Sequence, residues 1–184
     1  PVEGQLWETS KLSRVEAASG ESPKTLKEGS ILFAGRSPDK EVYTVEFETD
    51  LTEVDGLRLD ALTDDSLPSK GPGRVAHGNF VLTEIKIQAS AKTSPGAAQP
   101  VKIARGHADV EQGGFPVLNA FDGDPSTGWA VDADKKTLNA NHSATFDFAA
   151  PVRFAQGARF VVRLEQAYGG QHVLGRFRIS LRGP

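Results

Sequence analysis

In the turn-forming stretch Asp122-Gly123-Asp124-Pro125-Ser126-Thr127, Asp122, Asp124 and Thr127 bring three oxygen-bearing side chains within six residues. Oxygen donors this dense suit a hard cation such as calcium, with Asp122, Asp124 and Thr127 as the metal ligands. The spacing is not that of an EF-hand. Counting from Asp122, the sixth position holds Thr127 where that loop needs Gly, and the twelfth holds Ala133 where it needs a bidentate carboxylate. The same residues also suit a metal-free arrangement, a pair of Asx turns that closes the loop through its own side chains. Both readings stay open.

A second group suits recognition of a ligand. A small ligand is held by an apolar or aromatic face and a few fixed polar groups, and two Gly-rich stretches offer these: Gly71 to Asn79, with Arg74, His77 and Asn79, and Tyr168 to His172, with Gln171 and His172. Tyr168, next to two glycines, is the aromatic expected to be exposed, whereas Trp7 and Trp129 are expected in the core. Alternation along the last two strand-like runs puts Arg159, Arg163, Arg176, Arg178 and Arg182 outward beside Glu165, a basic stripe suited to an acidic polysaccharide or an acidic partner, or else a solvated sheet face. His107, Asp109 and Glu111 are two apart and would share a strand face, where a solvated face is the simpler reading than a metal site. No G-x-S-x-G, H-E-x-x-H, P-loop or dinucleotide fingerprint occurs, so the chain is read as non-catalytic.

The elements that must position these residues are β-type. Val42 to Thr49 alternates Tyr43, Val45 and Phe47 with polar residues, and Leu57 to Ala61, Ala144 to Phe148, Ala158 to Leu164 and Phe177 to Leu181 do the same. Phe80 to Ala89 and a run from Val101 add further strands. About eight short strands separated by Gly and Pro turns predict an all-β, antiparallel β-sandwich or jelly roll with under about 15% helix. The last two strands, joined through Ala167 to His172, read as a hairpin. Residues 1–184 are expected to form a single module in which 1–28 is an irregular lead-in.

Composition narrows the classes of partner. The net charge is −3 with 24% charged residues, so there is no basic footprint for nucleic acid. No run approaches the roughly 18 apolar residues of a membrane helix. With no Cys there are no disulfides or thiolate sites, and the absence of Met, position 1 included, leads to the expectation of a segment of a longer or processed chain. A cysteine-free module with a weak calcium loop fits an extracytoplasmic setting, where calcium is abundant.

Asn119-Ala120-Phe121-Asp122-Gly123-Asp124-Pro125-Ser126-Thr127-Gly128-Trp129 resembles the loop of galactose-binding-like β-sandwiches, the discoidin and carbohydrate-binding-module type, which often holds a structural calcium partly through backbone carbonyls. Further stretches, among them Gly56-Leu57-Arg58-Leu59-Asp60-Ala61-Leu62, Gly71-Pro72-Gly73-Arg74, Gly78-Asn79-Phe80-Val81-Leu82 and Tyr168-Gly169-Gly170-Gln171-His172-Val173-Leu174-Gly175-Arg176-Phe177, resemble the β-sandwich domain of large planctomycete surface proteins that also carry c-type cytochrome domains. The resemblance covers about residues 29 to 181. It implies a non-catalytic module of an exported multidomain protein, with a polysaccharide or glycan as the favoured ligand. The alternative it leaves is a structural domain packed against neighbouring domains of the parent chain.

Overall fold

The computed structural model describes residues 6–184, and they form two antiparallel sheets packed as a sandwich compatible with a jelly roll. The five-stranded sheet runs β2 (Lys11–Ala17), β5 (Glu41–Thr49), β11 (Ala158–Gln166), β7 (Glu84–Ala91), β8 (Gln99–Pro100). The seven-stranded sheet runs β3 (Lys24–Thr25), β4 (Ile31–Leu32), β12 (Arg176–Arg182), β6 (Glu53–Leu62), β10 (His142–Arg153), β9 (Ile103–Ala108), and β1 (Trp7–Thr9) also pairs with β12. Helical structure among the described residues is confined to three 3-10 turns, at 68–70, 95–97 and 117–120. None is long and apolar enough to cross a membrane.

The period-two pattern does what it predicts. On β5 and β11, Tyr43, Val45 and Phe47 face Leu164, Val162 and Phe160 across the ladder, all fully buried, while the residues between them face outward. Aromatic contacts then join the sheets. Tyr43 of one stacks on Phe177 of the other at 5.4 Å and on Phe33 at 4.2 Å, and Phe148 meets Phe160 at 6.4 Å. Each such pair adds about 0.5–1.5 kcal/mol beyond the apolar area it buries.

Three expectations are corrected. The stretch read as an irregular lead-in holds β1 and β2: Trp7 to Thr9 pairs with the seven-stranded sheet, Ser10 is buried at the crossing, and Lys11 onward pairs with the five-stranded sheet. Residues 1–5 of that stretch lie outside the described residues. The last two strands are not a hairpin, because β11 pairs with β5 and β7 while β12 pairs with β4 and β6. Residues 167–175 instead cross one end of the sandwich from sheet to sheet. Trp7 is half-buried on the outer face of its sheet, with the guanidiniums of Arg58 and Arg182 at 5.1 and 5.5 Å from its ring, whereas Trp129 is fully buried and donates Nε1–H to the Val110 carbonyl at 2.9 Å.

Candidate binding surface

The β11–β12 crossing and the 71–81 loop are laced together along their backbones. Arg74 N–H donates to Val173 O at 2.8 Å, Val81 N–H to His172 O at 3.1 Å and Gly175 N–H to Pro72 O at 2.8 Å, and Gly73 bridges Leu174. The lacing demands a glycine at 73, since a Cβ there would stand 1.7 Å from the Asn79 carbonyl oxygen. The two Gly-rich stretches singled out in the sequence therefore share one end of the molecule.

On that end lies an aromatic shelf. Tyr168 is 51% exposed, the one aromatic among the exposed large hydrophobic residues. Its ring meets His172 at 5.0 Å and Phe115 at 5.7 Å, both in T-shaped contact, and His172 meets His77 at 5.7 Å. His172 Nδ1 lies 2.8 Å from the Gly169 carbonyl, so that nitrogen carries a proton and donates there. Phe115, from the stretch that precedes the Asp-rich loop, extends the shelf with its half-buried ring.

Other predicted contact residues serve the scaffold. Arg74 is 3% exposed: Nη2 donates to Gly35 O at 3.0 Å and Glu21 Oε1 at 3.1 Å, and Nη1 donates to the Tyr43 hydroxyl at 3.3 Å. Nη1 also stands 2.8 Å from Glu21 Oε2, an ion pair not aligned as a hydrogen bond. Burial pushes the Tyr43 phenol well up, so its hydroxyl stays a donor and reaches Leu174 O at 2.6 Å. Asn79, 3% exposed, bridges Gln112 Oε1 and Val131 N–H. Gln171 is exposed, but its Nε2 donates to Ser37 O at 3.1 Å and its own N–H to Asp39 O at 3.1 Å. These groups hold loops in place, and the outward-facing members of the predicted set at this end are His77, Tyr168 and His172.

The expected arginine stripe is two half-stripes, because its strands belong to different sheets. Arg159 and Arg163 face out from one sheet and pair with Glu46 and Glu165; Arg176, Arg178 and Arg182 face out from the other. Arg176 binds Glu28, Ser30 Oγ and Thr63 O, Arg178 pairs with Asp60, and Arg182 with Asp55 and Asp147. Each guanidinium is matched by a carboxylate, so neither face is a basic surface.

In the Asp-rich loop the Asx-turn geometry is present. Asp122 accepts from Asp124 N–H at 2.9 Å and from the Thr127 hydroxyl at 2.5 Å, and Asp124 Oδ1 accepts from Ser126 N–H and Oγ–H. A carboxyl the sequence did not point to lies against it. Glu84, at the head of β7, is 5% exposed, and its Oε1 is buried without a partner among the described residues. Burial, then the neighbouring Asp122 carboxylate, pushes the Glu84 carboxyl up to about 7, while Asp122 is held low, against its own partial burial, by hydrogen bonds from Thr127, the Asp124 N–H and Glu84. Two carboxylates so placed need a proton or a cation between them. Among the described residues no three His, Cys, Asp or Glu side chains cluster as a metal site. The donors that do lie together are the Glu84 and Asp122 carboxyls and the Thr127 hydroxyl, all oxygen as a hard cation requires, while the Asp124 carboxylate is turned onto Ser126.

No family model matches the chain, and no curated protein matches its sequence. His107, Asp109 and Glu111 do not converge: Asp109 contacts His142 Nδ1 at 3.0 Å and Ser143 N–H, and Glu111 accepts from Val117 N–H at 2.6 Å.

Proposed function

We propose that this domain is a non-catalytic glycan-binding module of the galactose-binding-like kind, with its ligand surface on the end of the sandwich where the 71–81 loop meets the 167–175 crossing. The observation that carries the reading is Tyr168, an aromatic ring half open to solvent, braced by Phe115 and His172, on a crossing whose backbone is laced to the 71–81 loop. A fixed, amphipathic ring stacks a sugar at low entropic cost, and His77 with Nε2 of His172 supplies polar groups beside it.

Calcium belongs to this reading as a structural ion at the Asp-rich loop, held by Glu84, Asp122 and Thr127, with Asp124, engaged by Ser126, shaping the turn beside them. It would supply the positive charge that the Glu84 and Asp122 carboxyls otherwise obtain by sharing a proton, and it would pin the loop that leads from Phe115 to Trp129. The support is the orphaned Glu84 oxygen. A module of this kind suits an exported multidomain protein.

The test is a glycan array followed by titration calorimetry on the best ligand. Tyr168→Ala should weaken binding about ten-fold or more, the loss of one stacking contact, with an unchanged melt because the ring is exposed. No binding across the array, together with tight binding of a neighbouring domain of the parent chain, would replace the glycan reading with the packing one.

A further inference from the structure

Of the eleven arginines, ten stand within ion-pair distance of a carboxylate. Arg36 has no such partner among the described residues, and it is exposed. A chain that matches its guanidiniums this consistently leaves one unmatched at the edge of the candidate ligand surface. There it lines an open cleft of about 670 Å³ with Ser19, Ser37, Asp39, Gly170 and Gln171, a size within the range of small-ligand sites.

The backbone that presents Arg36 is tied down on both sides. Gly35 donates its N–H to Glu21 Oε1 at 2.8 Å and its carbonyl accepts from buried Arg74 at 3.0 Å. Beyond Arg36, the Ser37 carbonyl accepts from Gln171 Nε2 at 3.1 Å, the Asp39 carbonyl from Gln171 N–H at 3.1 Å, and Asp39 Oδ1 from Gly170 N–H at 2.8 Å. Asp39, the one carboxylate lining the cleft, is thus engaged by a backbone donor two residues from Tyr168. Ser37 Oγ is buried without a hydrogen-bond partner among the described residues.

We infer that this cleft is the anion subsite of the glycan surface: Arg36 takes the carboxylate or sulfate of an acidic saccharide while Tyr168 stacks a ring of the same chain, which makes the module selective for acidic polysaccharide. The inference rests on the glycan reading above and deepens it. It also relocates the acidic-ligand expectation from the arginine stripe, which is internally neutralised, to one side chain that is not. The planar fork of Arg matches the two oxygens of a carboxylate, and a preformed loop loses little freedom when they bind.

The test compares oligogalacturonate, its methyl ester and a sulfated galactan oligosaccharide of equal length on the whole domain. The ester removes the charge and caps one oxygen with a methyl, keeping the carbonyl acceptor. Wild type should bind the oligogalacturonate or the sulfated chain, or both, roughly ten- to a hundred-fold more tightly than the ester, as expected for a charge-assisted hydrogen bond. Which acidic chain is preferred tells carboxylate from sulfate recognition. Arg36→Ala should abolish the preference by weakening the acidic chain far more than the ester, with the melt unchanged, and Arg36→Lys should keep part of it. Equal affinity for acid and ester, or an Arg36→Ala variant that keeps the preference, overturns the inference and leaves the glycan reading intact. In a parallel NMR titration with free galacturonate and with sulfate, shifts at Arg36 Nε–H and the Gly170 amide without binding of any oligosaccharide would keep the anion site and sink the glycan reading. No shift with either anion and no acid preference would sink the anion site.

Discussion

Arg74 decides whether the Gly-rich loop is read as a ligand contact or as scaffold. Arg74→Met keeps most of the aliphatic stem and removes the guanidinium, which is 3% exposed and bonded to Glu21, Gly35 O and Tyr43. Breaking a fully buried ion pair from one side costs about 3–5 kcal/mol. Glu21 keeps 19% exposure of its side chain and still accepts from Gly35 N–H, so water and that donor recover part of the loss. Tyr43 retains its bond to Leu174 O. The lower end, about 3 kcal/mol, is the expectation, or a melting temperature lowered by roughly 6–12 °C for a domain of this size. Calorimetric melts of Arg74→Met, Glu21→Gln and the double variant should show that the second change costs much less once the first is made, with a coupling of about 1–3 kcal/mol. Since Arg74 holds Gly35, the single variant should also weaken acidic-glycan binding through the Arg36 loop. A melt within about 1 kcal/mol of wild type combined with loss of neutral-glycan binding would refute the scaffold reading.

Gly73→Ala should fail to fold or lose more than about 3 kcal/mol in urea titration, because its Cβ would meet the Asn79 backbone at 1.7 Å and neither strand of the lacing can retreat; a wild-type-like midpoint refutes it. Chelation of calcium-loaded protein should lower the melting temperature, and an unchanged melt with no metal in elemental analysis would leave the Asx turns as the whole explanation of the loop. In the metal-free protein the raised Glu84 pKa stabilises the fold fully below its unfolded value near 4.5, and that contribution is lost as pH rises through about 7. Calcium must displace the Glu84 proton, so its affinity should rise with pH across the same window, and Glu84→Gln should flatten the rise; pH-independent binding between pH 6 and 8 argues against Glu84 as a ligand. Trp7→Phe should leave blue-shifted fluorescence, poorly quenched by acrylamide, from fully buried Trp129; strong quenching in that variant would contradict the placement of both tryptophans.

The sequence showed faces better than partners. Alternation of Tyr43, Val45 and Phe47 with polar residues identifies which side of a strand is buried whatever it pairs with, so the sandwich and its core aromatics were legible. Pairing is a long-range matter. Ala158 to Leu164 and Phe177 to Leu181 have the pattern of a hairpin, but the chain between them is long enough to cross the sandwich, and the arginines on the two strands consequently face opposite ways. Their neutralisation was hidden for the same reason, since Glu46, Glu28 and Asp60 come from elements remote in sequence. Arg74 and Asn79 carry side chains that usually stay wet, and only the closure of loops over them makes them interior. Glu84 sits on the outward phase of its strand, and the Asp-rich loop is what buries it. The signal for Arg36 was subtractive: it became visible only after every other arginine had found its carboxylate.

The pairing of β1 with β12 has a mechanical consequence. Trp7 lies opposite Arg182 and Thr9 opposite Ser180, so the chain enters and leaves the sandwich side by side at one end of the same ladder. Tension applied through the two ends would load that ladder in an unzipping direction, one antiparallel pair at a time, instead of shearing all its hydrogen bonds at once. The first clasp to open would be the Trp7 ring between Arg58 and Arg182. Strand β1 would peel away up to buried Ser10 while the sheets beyond, with the aromatic shelf and the cleft beside it, stay closed, giving a tethered domain a short, reversible length of slack.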